Sequence, residues 1–155
     1  MNWKIVLGLV GFILLVTLIG TGIYQFTVAE AKDREQTVVQ EAETRLKKEI
    51  APDEIKFEHV FNGETQYSVY TIQQDGEALR AFVPKKGKIE TRRVADGMKI
   101  ADVIQKAGNP ANIVSAKYGF DQRALIEIVT KTKSGYDYSY YTYQEGSFLK
   151  RLRIN

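Results

Sequence analysis

The strongest constraint on this chain is a run of 25 consecutive uncharged residues, Ile5 to Ala29, composed mostly of Ile, Leu, Val, Phe and Gly. At a helical rise of about 1.5 Å per residue such a run extends roughly 37 Å, more than the ~30 Å hydrocarbon core of a bilayer. It is therefore expected to be a transmembrane anchor, preceded by a short cytoplasmic start, Met1 to Lys4. The terminal amine and Lys4 lie on the short side, whereas Glu30-Ala31-Lys32-Asp33-Arg34-Glu35 mixes both signs. Positive flanks stay in the cytoplasm, so the remainder of the chain is expected outside the cell membrane, tethered by a single pass. The competing reading is a cleavable signal peptide, and Ala29-Glu30-Ala31 has the form of a cleavage site. A signal peptide's apolar core usually spans only ~7–15 residues, which favours the uncleaved anchor. Trp3 and Tyr24 suit the two interfaces, and Gly8, Gly11, Gly20 and Gly22 form no G-x-x-x-G pair for helix dimerisation.

Beyond the anchor the charge is nearly balanced: 21 Lys and Arg (22 less Lys4) against 19 Asp and Glu. That balance gives no electrostatic footprint for nucleic acid. The basic cluster Lys150-Arg151-Arg153 reads as a solvated strand edge. Cysteine is absent, which excludes disulfides, thiolate metal sites, a cysteine nucleophile and a lipidated cysteine. An extracytoplasmic domain built this way must be held by its own core.

Glu30 to Ile50 reads as helix, because Val39, Ala42, Leu46 and Ile50 form one apolar stripe and no Gly or Pro interrupts the chain from Ile23 to Ala51. The anchor is thus expected to continue outward as a stalk, stopped by Pro52. Ile55, Phe57, His59 and Phe61 then alternate with Lys56, Glu58 and Val60, predicting a strand with one apolar face. Asn62-Gly63 and Asp75-Gly76 signal turns, with strands predicted over Gln66–Gln73, Leu79–Val83 and Lys88–Val94.

The same order recurs. Asp96 is the expected N-cap of a helix carrying Ile100, Val103, Ile104 and Ala107 on one face, closed by Gly108 and Pro110. Strands are predicted at Ala111–Tyr118, Arg123–Lys131, Tyr136–Tyr143 and Ser147–Ile154. Gly76 and Gly87 are 11 apart, as are Gly135 and Gly146. A shift of 59 aligns the strands of the two halves, with the helices nearer 58. The expected class is α+β: two tandem units, residues 30–95 and 96–155, each a helix packed on an antiparallel sheet of about three or four strands.

Little here carries chemistry. His59 is the only histidine, so neither a triad nor a multi-histidine metal site can be built. The serines lack a nucleophile elbow, the acidic pairs lie on helix surfaces or ends, and no phosphate-binding glycine loop is present. No catalytic, cofactor-binding or metal-binding residue is expected, and no small-molecule substrate. The unusual stretch is Tyr136-Asp137-Tyr138-Ser139-Tyr140-Tyr141-Thr142-Tyr143. Tyr136, Tyr138 and Tyr140 share one face, and Tyr141 and Tyr143 the other. Tyrosine favours strands and is also enriched at interfaces, so these five are the candidate partner-binding residues.

Ala81-Phe82-Val83-Pro84 followed by Lys85-Lys86-Gly87-Lys88, the helix Ile100 to Ala107, and Gly135-Tyr136-x-Tyr138-x-Tyr140 leading to Gly146-x-Phe148-Leu149-Lys150 occur in an informative order. With one anchor and two tandem units, this pattern resembles the TseB-like cell-wall-elongation regulators of Gram-positive bacteria. The resemblance implies cystatin-like, PepSY-type units and a non-enzymatic membrane protein. It also implies a protein partner, a class B penicillin-binding transpeptidase, and it supplies no catalytic motif. The alternative is a cystatin-type inhibitor or regulator of an extracytoplasmic protease. Such inhibitors usually need an exposed hairpin wedge, and Asn62-Gly63 and Asp75-Gly76 are short polar turns.

Overall fold

The computed structural model describes residues 35–155. The expected anchor Ile5–Ala29 and its expected passage into a stalk at Glu30–Arg34 lie outside the described residues. Among the described residues no helix is long and apolar enough to cross a membrane. From Val39 to Asn155 the chain forms one compact unit holding two four-stranded antiparallel meanders.

The first helix, α1, covers residues 35–49. Its stripe buries Ala42 and Leu46 against Tyr70, Ile72, Ala81, Val83 and Ile89. Arg45 ties the helix to the sheet by donating to the carbonyl oxygens of Pro84 and Gly87. The helix stops where expected: Ala51 takes a left-handed conformation (φ 51°) with its N–H on the Leu46 carbonyl, and Pro52 follows. The first sheet then runs β1 (Glu54–Asn62), β2 (Gln66–Gln74), β3 (Glu77–Pro84) and β4 (Glu90–Arg93). Asp75 and Gly76 both have positive φ and join β2 to β3 in a two-residue turn. At Asn62-Gly63 the turn is longer, because Asn62 still pairs with Gln66.

The single apolar face expected for β1 is not what forms. Phe57 pairs with Tyr70, but His59 pairs with Val69, so Glu58 is an extra residue in the strand. A bulge of one residue reverses the side-chain phase. Ile55 lies on the α1 side with Phe57, whose ring meets Tyr70 edge-on at 5.4 Å. His59 and Phe61 turn to the opposite face, toward the second half of the chain.

A 3-10 turn, Val94–Asp96, leads to α2 (Ile100–Lys106) and the second sheet, β5 (Ile113–Asp121), β6 (Arg123–Lys131), β7 (Tyr136–Thr142) and β8 (Phe148–Ile154). Asp96 does not cap the helix. It lies in the 3-10 turn and pairs with Arg93 at 3.0 Å, while Lys99 holds the N-cap position without a side-chain cap. The apolar stripe is as expected, with Val103 buried on Ile126, Ile128 and Tyr141. The repeat is real in topology, but the register of its central strands, β2–β3 against β6–β7, is 58 and not 59, and the edge strands β4 and β8 are offset by 60. Tyr70 pairs with Ala81 and Ile72 with Leu79, and the same rungs recur 58 residues on as Ile128–Ser139 and Thr130–Asp137. A shift of 59 would superpose residues from opposite faces of the two sheets.

A shared core joins the halves: Phe61, Val69 and Phe82 from the first sheet pack with Phe120, Ala124, Leu125, Tyr140 and Tyr143 of the second. Two glycines make the approach possible. A Cβ on Gly119 would sit 2.4 Å from the Phe61 ring, and one on Gly97 would sit 2.3 Å from the Tyr143 ring.

Candidate interaction surface

Two groups of polar and aromatic residues stand out, one buried and one exposed. The buried group lies at the junction of the halves around Arg80 on β3. Its guanidinium lies 3.5 Å from the centre of the Tyr118 ring, donates to the Tyr143 hydroxyl at 3.0 Å and meets the Glu58 carboxylate at 3.3 Å. The Tyr143 hydroxyl donates onward to the Arg93 carbonyl at 3.0 Å. Burial alone would raise the Glu58 pKa, but the Thr71 hydroxyl and Arg80 more than offset it and hold the carboxyl below its ordinary range. His59 Nε2 lies 2.7 Å from the Tyr118 carbonyl, so the neutral ring must carry its proton there. Burial lowers the His59 pKa, against the opposing pull of that hydrogen bond and of Glu58. Each ionisable group here is engaged by another from the same cluster, which makes the junction a fastening.

The exposed group is formed by β7 and β8. Tyr140, Tyr141 and Tyr143 are buried: Tyr141 lies under α2, while Tyr140 and Tyr143 belong to the shared core. Tyr138 is half-buried and Tyr136 exposed, so of the five tyrosines only these two offer surface. Beside them lies β8, whose seven residues are all exposed. Tyr136 pairs with Ile154, Tyr138 with Leu152 and Tyr140 with Lys150. These residues share the face turned away from α2, because Tyr141, under the helix, belongs to the opposite phase. Arg153 and Arg151 pair with Asp137 and Ser139 on the α2 side.

The charges of this region are partly committed. Arg153 forms a forked pair with Asp137 at 2.7 and 2.9 Å, and those hydrogen bonds hold the Asp137 pKa down. Lys150 meets Asp121 at 3.0 Å, and Arg151 donates to the Ser139 hydroxyl at 3.0 Å. Further into the sheet, burial raises the Glu127 pKa despite Lys117 at 3.8 Å and the Tyr140 hydroxyl. A depression of about 230 Å³ between Asp121, Arg123, Leu149 and Lys150 continues the surface toward the β5–β6 turn. Among the described residues no three His, Asp or Glu converge as a metal site.

Sequence reasoning did not single out Leu152 and Ile154, although the alternation from Lys150 to Ile154 contained them. Their exposure depends on β8 being an edge strand, which the alternation does not specify.

The sheet topology and helix placement define a cystatin-like, PepSY-like α+β fold used twice. The chain is similar in structure to the YpmB protein from Bacillus subtilis, with a TM-score of 0.60 and 25% sequence identity over 74% of this chain and 96% of that one. This likeness supports a related family. No family model matches the sequence, and no curated protein matches it.

Proposed function

We propose that this chain is a non-catalytic, membrane-anchored, extracytoplasmic interaction protein that regulates cell-wall elongation through a class B penicillin-binding transpeptidase. The anchor follows from the uncharged run Ile5–Ala29 and the partner class from the TseB-like resemblance. The observation that carries an interaction role is the clustering of exposed apolar side chains. Of eight large exposed hydrophobics on the described surface, five (Tyr136, Phe148, Leu149, Leu152 and Ile154) gather on β7 and β8. Phe148 stands on the α2 side beside Tyr141, while Tyr136, Leu152 and Ile154 share the opposite face. Scattered exposed apolar residues are ordinary, whereas apolar side chains gathered along one sheet edge are a feature of binding sites.

The test is photocrosslinking in intact cells of a Gram-positive host. A photoreactive residue at Leu152 should capture the transpeptidase, and one at Glu77, in the β2–β3 hairpin, should not. Absence of the transpeptidase from both adducts would refute the partner assignment. Capture of a secreted protease from Leu152 would favour the inhibitor reading instead.

A further inference from the structure

We propose that β8 accepts an incoming β-strand from a protein partner, and that this strand alternates acidic and apolar residues. The proposal rests on the reading of β7–β8 as the partner surface and specifies how that surface binds. β8 ends the strand order β5-β6-β7-β8, so one side of its backbone pairs with β7 and the other pairs with no described strand. Its equivalent in the first sheet, β4, is also an edge but has only four residues, Glu90-Thr91-Arg92-Arg93, three of them half-buried. Short, charged edges resist strand addition. β8 has seven residues, and after the irregularity near Leu149 its register is unbroken from Lys150 to Ile154.

The two faces of β8 determine what can pair with it. On the face away from α2 stand Leu152 and Ile154, 50% and 55% exposed, continuous with Tyr136 and Tyr138. On the other face stand Arg151 and Arg153, and the Arg153 side chain keeps 60% of its surface despite the Asp137 pair. Successive residues of an added strand would point alternately to these two faces. Apolar residues would lie against Leu152 and Ile154, and acidic residues against Arg151 and Arg153. A second copy of this chain is a poor occupant, because pairing β8 with itself sets Lys150, Arg151 and Arg153 among their own kind, and like charges opposed across strands are destabilising.

Full-length protein purified in detergent provides the test, with three nine-residue peptide probes: alternating Val and Glu, alternating Val and Lys, and the Val/Glu peptide N-methylated along its backbone. The Val/Glu peptide should bind at least about tenfold more tightly than the Val/Lys peptide at low salt. It should also slow hydrogen exchange at alternate amides of Phe148–Ile154, since every second N–H of an edge strand points outward and an added strand engages these. N-methylation should abolish binding. Arg151→Glu, where the side chain donates to the Ser139 hydroxyl and lies 5.8 Å from the Phe148 ring centre, should reduce or reverse the charge preference. Leu152→Glu should weaken the Val/Glu peptide while leaving the far-ultraviolet spectrum unchanged. Equal binding of the Glu and Lys peptides, retained binding after N-methylation, or protection confined to another strand would each overturn strand addition. If strand addition fails while crosslinking from Leu152 still captures the transpeptidase, the surface reading survives and only its mode is wrong. If both fail, both readings fall.

Discussion

The two sheets share strand order and the register of their central strands but differ in what covers them. The first is enclosed on both faces: α1, through Ala42 and Leu46, covers one, and the shared core covers the side of Val69 and Phe82. The second has α2, only seven residues long, which reaches Ile126, Ile128 and Tyr141 but leaves β8 exposed. In place of a longer helix the chain between the sheets forms the Val94–Asp96 turn, and Gly97 lets the Tyr143 ring approach. A duplicated fold thus has one copy covered on both faces with a short edge strand and one copy with a long, exposed edge strand. Similar residues therefore have different energetic weight in the two halves.

Phenylalanine gives the largest contrast. Phe61 is 1% exposed in the shared core, whereas Phe148 on β8 is 57% exposed. Phe61→Ala should cost about 3–5 kcal/mol, through lost transfer energy and a cavity over Gly119. Phe148→Ala should stay within about 0.5 kcal/mol. Urea unfolding of the two variants measures both, and a Phe148 loss comparable to that of Phe61 would show that β8 belongs to the core.

Arginine repeats the contrast less strongly. Arg80→Ala removes the partner of Glu58, whose side chain is only 21% exposed, and vacates the space between Tyr118 and Tyr143. Breaking a buried pair on one side typically costs about 3–5 kcal/mol, and the residual exposure of Glu58 puts this case near about 3. Glu58→Gln added to Arg80→Ala should recover part of that loss by removing the stranded charge. Arg151→Ala, with one hydroxyl acceptor at the surface, should change stability by no more than about 0.5 kcal/mol.

Gly119 tests the closeness of the junction. Gly119→Ala should cost about 1–3 kcal/mol, because its Cβ would enter the Phe61 ring and one of the two must move. Combining it with Phe61→Leu should relieve some of the strain. Equal losses with and without Phe61→Leu would place the cost in the backbone.

Much of this fold was legible in the sequence because it is local. The α1 and α2 stripes, the Asp75-Gly76 hairpin and the order of eight strands all follow from periodicity and turn chemistry. The junction was less legible. Arg80 reads as the polar member of an alternating strand, and its burial depends on Tyr143, 63 residues away. The Glu58 bulge is set by how β1 and β2 share hydrogen bonds, so the alternation of Ile55, Phe57, His59 and Phe61 suggested one face where there are two. Asp96 had the residue type of a cap but not the position, because the chain forms a 3-10 turn first. For the tyrosines, alternation sorted Tyr136 to Tyr141 into faces correctly but not Tyr143, which lies past the end of β7 and packs with Tyr140 in the shared core instead of with Tyr141 under α2. Which rings were covered depended on the length of α2 and on the opposite half of the molecule.

The smallest expected difference between the regions is their response to mild acid. His59 faces Glu58, Lys117 and Arg80 at the junction, and burial lowers its pKa below the ordinary value of 6.5. The folded protein therefore binds fewer protons than the unfolded chain as pH falls through 6.5, and stability that is full above that value declines toward the folded pKa. Glu58 and Asp137, also lowered, lose stability in the same direction, but only below their ordinary values of 4.5 and 3.8. Glu127, raised by burial, acts oppositely: its protonation in the fold adds stability as pH falls through its raised pKa. Between about pH 7.5 and 6, above the range of ordinary carboxylates, His59 should set the direction of the change. The urea midpoint of the wild-type chain should fall across that window. It should stay nearly level in His59→Gln, whose amide can still donate to the Tyr118 carbonyl, and fall normally in Phe148→Ala. A wild-type slope retained in His59→Gln would place the acid response outside the junction and remove this distinction between the two regions.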